Sequence, residues 1–129
     1  MKNPDPENVL GRYILDAAGN PVPEPDLYRW ARWYQTAERH VALDRLDDGH
    51  WVSTVFLALD HGFASMFGEG PPILYETMVF GDYGSLETDW NGQRYATRAE
   101  ALAGHAAALV ELKLLLSDIP HDRDRRTDR

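Results

Sequence analysis

Large apolar residues recur along this chain with two different periods, and the switches between them divide it into elements. Leu27, Trp30, Ala31 and Tyr34 stand at helical spacing, Trp33 and Ala37 widen the stripe, and Asp26 precedes them as an N-cap. This spacing predicts a helix running to about Glu38. Residues 40–46 and 51–59 then read as strands, joined by the turn signal Asp47-Asp48-Gly49. Trp51 to Leu59 carries apolar or small residues at every position, as a strand covered on both faces does. Residues 73–80 make a third strand of the same character, and a fourth is expected near Gln93-Arg94-Tyr95. Upstream, Tyr13-Ile14-Leu15 reads as a short strand before the turn at Ala18-Gly19-Asn20-Pro21.

Thr97-Arg98-Ala99-Glu100 is a capping-box pattern, and the helix it opens is the clearest element in the sequence. Leu102, His105, Ala106, Leu109, Leu112, Lys113 and Leu116 fall along one side of it, which we expect to pack on the sheet; Pro120 ends it. The expected architecture is α+β: a three- or four-stranded antiparallel sheet with two helices packed on one face. Residues 1–9 are expected to form an N-terminal arm, 10–117 a single domain, and 118–129 a charged tail.

Composition narrows the classes of function. With 129 residues there is room for one core, and with no cysteine there is neither a disulfide framework nor a zinc–thiolate site. The net charge is −8, and because the tail's Asp and Arg residues balance, the body carries all of it. Such a surface repels phosphate backbones and argues against nucleic-acid binding by the folded body, although an acidic surface can also mimic nucleic acid. Neither a secretory pattern nor a membrane-length apolar run is present, so we expect a soluble protein of the bacterial cytoplasm without a membrane partner.

Candidate chemistry is sparse. Asp60 and His61 end the second strand, Glu76 lies inside the third, and His105 sits on the expected inner side of the last helix. If these four side chains converge, they suffice for a divalent metal or an acid–base pair, or they form a polar cluster that satisfies itself by hydrogen bonds. Glu76, in an apolar strand, requires either an open face or a cation such as Arg94. Ser53, Ser65 and Ser85 lack a Gly-x-Ser-x-Gly elbow, Gly68-Glu69-Gly70 is no phosphate loop, and no cofactor is implied. The thirteen-residue connection from Asp60 to Pro72 carries Phe63, Met66 and Phe67 among glycines. These rings either fold back over the sheet or form a partner-binding patch.

The stretch from Trp30 to His105 resembles an uncharacterised family of small bacteriophage and bacterial proteins. The match rests on Ala31-Arg32-Trp33-Tyr34, Val52 to His61, Pro71 to Gly81 (including Tyr75-Glu76-Thr77-Met78-Val79-Phe80), Arg94 to Thr97, and Ala103-Gly104-His105. The family has no assigned activity, so the resemblance implies a scaffold and no functional residue. Ala64 to Phe67 enlarges the loop after His61 and residues 106–129 extend the last helix, both departures from the pattern. From size, acidity, the apolar loop and this resemblance we expect a small accessory protein of a phage or mobile element. It would act by binding another protein, such as a host defence component. A metal-assisted enzyme using Asp60, His61, Glu76 and His105 is the alternative from a different class, and a minor virion or assembly component shares the first expectation's basis.

Overall fold

The computed structural model describes residues 8, 10–47, 49–62, 70–81, 84–85 and 92–117. Among the described residues the chain is α+β, with two helices and antiparallel sheets. It runs β1 (Tyr13–Leu15), β2 (Pro21–Pro23), α1 (Leu27–Thr36), β3 (His40–Arg45), β4 (Trp51–Phe56), β5 (Tyr75–Gly81), β6 (Gly84–Ser85), β7 (Gln93–Tyr95) and α2 (Arg98–Ser117).

β1 and β2 pair as a separate ribbon. The main sheet is ordered β3-β4-β5-β6, with β7 also on β5. One edge of β5 is paired throughout with β4, Trp51 opposite Phe80 and Phe56 opposite Tyr75. The other edge is shared, Tyr75–Thr77 with β7 and Phe80–Gly81 with β6. The sheet is therefore four strands wide, its last position being filled by two short strands.

Local chemistry accounts for the element ends. Asp26 caps α1, its carboxylate accepting from the amides of Tyr28 and Arg29, and the Arg29 bond is the main reason its pKa is lowered. Between β3 and β4, the Gly49 amide donates to Leu46 and the Leu46 amide to His50, with Gly49 at φ 97°. A left-handed glycine closing a tight hairpin is what the Asp-Asp-Gly signal called for. The expected strand 51–59 stops instead at Phe56, because Ala58 turns to φ 67° and hands the chain to the N-terminal segment. Tyr13 donates to the Ala58 carbonyl, Asp60 to that of Gly11, and Arg12 bridges Leu59. An L-residue in this conformation costs about 1 kcal/mol. The Ala58 methyl offsets that cost by filling the core beside Phe56, Leu74, Tyr75 and Ala101. Asn8, within the stretch expected to be an arm, is buried and brackets Arg12 through two side-chain hydrogen bonds.

The capping box forms as the sequence indicates: Glu100 donates its amide to Thr97 Oγ1, and the Glu100 carboxylate accepts from the Thr97 and Ala96 amides. The buried side of α2 differs from the expected one. Ala101, His105, Ala108 and Leu112 are buried, Leu109 and Leu116 half-buried, whereas Leu102 is 39% exposed and Ala106 and Lys113 face solvent. α2 is apolar nearly all round, so leucine spacing alone does not fix which side faces the sheet. In α1 the expected stripe packs on the core through Trp30, Trp33 and Tyr34, Trp33 setting its ring edge on Phe56 with centroids 5.8 Å apart, and only Leu27 at its start departs from it, 53% exposed.

Tyr75 lies at the centre of this core, 1% exposed, and its hydroxyl finds no hydrogen-bond partner among the described residues. Burial pushes its pKa up, against a smaller opposing pull from the Arg98 charge. Since the folded state holds this proton more tightly than the unfolded chain, the contribution is intact below the unfolded phenol value of about 10. It is lost as pH rises through the folded value. Urea melts across this alkaline range should therefore show falling stability for the native chain and a flatter profile for Tyr75→Phe. At neutral pH the same variant should be more stable by about 1 kcal/mol, the cost of an unmade buried hydrogen bond. A destabilised Tyr75→Phe would mean that the hydroxyl is satisfied after all.

Candidate functional site

Antiparallel pairing dictates which side chains share a face. Asp44 lies opposite Val52, and Thr54 opposite Thr77, so all four project to the side on which α2 lies. There the structure forms one continuous polar chain inside the core. Asp44 Oδ2 is 2.7 Å from His105 Nε2, His105 Nδ1 is 2.8 Å from Thr54 Oγ1, and Thr54 Oγ1 is 2.6 Å from Thr77 Oγ1. A carboxylate only accepts, so Nε2 donates; in the neutral ring Nδ1 then accepts from Thr54, which in turn accepts from Thr77. Both ring nitrogens and both hydroxyls of the relay have a partner. Its order resembles an acid–imidazole–hydroxyl triad, but its exposure runs the wrong way for catalysis. Thr54 and Thr77 are 0% exposed and His105 4%, whereas the Asp44 side chain is half-exposed. A hydroxyl that no substrate can reach is not a nucleophile, and the chain instead locks α2 to β3, β4 and β5.

The candidates Asp60, His61, Glu76 and His105 do not converge. Glu76 neighbours Thr77 in β5 and so projects to the opposite side of the sheet from His105, where its Oε2 accepts from Arg94 Nε at 3.0 Å. Asp60 Oδ1 accepts from the amides of Gly62 and Ile73, closing the ends of the long connection. His61 is exposed, with Nδ1 2.8 Å from its neighbour Leu59's carbonyl. Among the described residues no group of three or more acidic or imidazole side chains is placed to hold a metal ion. The cation expected beside Glu76 is Arg94. Phe63, Met66 and Phe67 lie outside the described residues.

The sheet side away from α2 has a different character. Arg45, Trp51 and Phe80 share one row across the strands, Leu43, Ser53 and Met78 the next, and Val55, Glu76 and Arg94 the third. Trp51 stacks on Phe80 with centroids 5.1 Å apart and planes at 16°, and the Arg45 guanidinium lies 5.4 Å from the Trp51 ring. Leu43 is 41% exposed, and Trp51, Val55, Met78 and Phe80 are half-buried.

Sequence reasoning missed both assemblies, although the signal for each was present. The Asp47-Asp48-Gly49 turn fixes the hairpin register, and counting outward from it puts Asp44 opposite Val52, on the same face as Thr54, and Arg45 opposite Trp51. No family model matches the chain, and comparison with characterised proteins and with solved structures finds no match. No described helix is long and apolar enough to cross a membrane.

Proposed function

We propose that this chain works by binding another protein through the sheet face opposite α2. The carrying observation is the Arg45–Trp51–Phe80 stack with Leu43 and Met78 beside it. Trp, Arg, Phe and Met are the residue types that interfaces concentrate at their cores, and a few such anchors supply most of the binding energy. We take both helices to lie on the other side. Trp33 of α1 meets Phe56, which shares its face with Thr54, and α2 reaches the same face through His105. The resemblance to the phage family supports the role of an accessory protein whose partner is a host component such as a defence protein.

Leu43→Asp combined with Arg45→Glu tests this without disturbing the core, because both positions are exposed. In affinity capture from a bacterial host lysate, the native chain retains a partner and the double variant loses it. Stability should change by no more than about 0.5 kcal/mol per site. A partner retained equally by both proteins would place the contact elsewhere.

A further inference from the structure

β3 is an edge of the main sheet, and among the described residues no strand pairs with its outer side. The hairpin register says which backbone groups are left over there. Leu46 donates to the His50 carbonyl at 2.7 Å, and bonded and non-bonded pairs alternate along an antiparallel ladder. Asp44–Val52 and Ala42–Thr54 are therefore the bonded pairs. Leu43, opposite Ser53, and Arg45, opposite Trp51, turn their amides and carbonyls outward, where no described residue meets them.

Edges of this kind are ordinarily blunted by brevity, proline, lysine or a bulge. The other short strands follow that rule: β1, β2 and β7 have three residues and β6 two, and β2 is Pro21-Val22-Pro23. β3 does not. It has six residues, its irregularity is confined to the His40–Ala42 end, and Ala42–Arg45 contains neither proline nor lysine. Its Asp44 points to the α2 side, half-exposed; Oδ2 is taken by His105, and Oδ1 has no hydrogen bond among the described residues.

We propose that an extended, basic segment of the partner adds to β3 as a further strand. This rests on the sheet-face reading and names the kind of segment which that face receives. Leu43 and Arg45 project to the same face, so the open backbone groups border the Trp51–Phe80 stack. Extended backbone offers donors and acceptors at the matching spacing, which a helix, with its groups bonded internally, does not. Alternation then assigns the side chains of the added strand. The one beside Leu43 is apolar and continues the exposed face. The one beside Asp44 comes within cross-strand reach of Oδ1 and is lysine or arginine. Net charge favours the same choice, since a body carrying −8 attracts basic segments and repels acidic ones.

Amide exchange followed residue by residue by NMR tests this on the full chain. The probes are synthetic heptapeptides alternating valine with lysine, or valine with glutamate. The valine–lysine peptide at millimolar concentration should slow exchange at Leu43 and Arg45 about threefold or more, and the valine–glutamate peptide should not. Unchanged exchange at both amides would overturn strand addition; if the Trp51 and Phe80 side-chain signals shifted all the same, the sheet-face proposal would still stand. Equal slowing by both peptides would overturn the basic character of the partner. Slowing at Leu43 and Arg45 when the protein alone is concentrated would give the edge to a second copy and overturn the proposal.

Discussion

Replacing His105 with alanine is expected to lower the unfolding free energy by about 3 kcal/mol or more. The imidazole is 4% exposed and joins α2 to two strands through hydrogen bonds of 2.7 and 2.8 Å. Truncation leaves a cavity, at about 2–5 kcal/mol for a large buried side chain, and strips Thr54 of its acceptor, at about 1–3 kcal/mol more unless water enters. The other relay members should cost less, in an order set by burial. Thr77→Val keeps the shape and the Thr54–His105 bond, and removes one hydroxyl, for about 1 kcal/mol. Asp44→Asn sits at the half-exposed end and still offers an acceptor oxygen, so its effect should be smaller again. Urea denaturation of the three variants checks this order. If His105→Ala were as mild as Asp44→Asn, the relay would not be what fastens α2 to the sheet.

Gly104→Ala is expected to destabilise the protein by about 2 kcal/mol, although glycine-to-alanine inside a helix ordinarily stabilises by about 1 kcal/mol. The sign reverses because the Tyr95 ring of β7 lies directly on the helix at Gly104, and a Cβ there would collide with its hydroxyl and ring carbons. Shortening the opposing side chain should restore the ordinary preference. Tyr95→Ala and Gly104→Ala together should therefore be less damaging than the sum of the two single changes, a coupling that a double-mutant cycle measures. Additive effects would mean that the ring swings aside at little cost and the glycine is not required by this contact.

These two sites also show what the sequence could and could not disclose. Strands β3, β4, β5 and β7, the hairpin turn, the Asp26 cap and the Thr97–Glu100 capping box were all legible, because each depends on residues close together in the chain. The inner side of α2 was not. Leucines and alanines surround this helix, so its rotation is decided by where His105 finds Thr54 and Asp44 and where Gly104 admits Tyr95. Both are contacts across long stretches of chain. The same limitation explains the metal-site alternative. Asp60, His61, Glu76 and His105 looked compatible as a list, but the two-residue period of β5 sends Glu76 to one side of the sheet while Thr77, beside His105's partner Thr54, goes to the other. The strand boundary at Phe56 was hidden for another reason. Ala58 adopts φ 67°, a conformation that alanine's propensity does not announce and that the N-terminal segment imposes from outside.

Interior polar groups fasten this fold, and we propose that the sheet face opposite α2 is what binds a partner. A hydroxyl-radical footprint of the protein alone and in complex with the partner it captures tests that account most directly. Trp51, Met78 and Phe80 should become protected in the complex, while Val110 and Leu114 keep the reactivity they show in the chain alone. Protection confined to α2, with Trp51, Met78 and Phe80 unchanged, would contradict it.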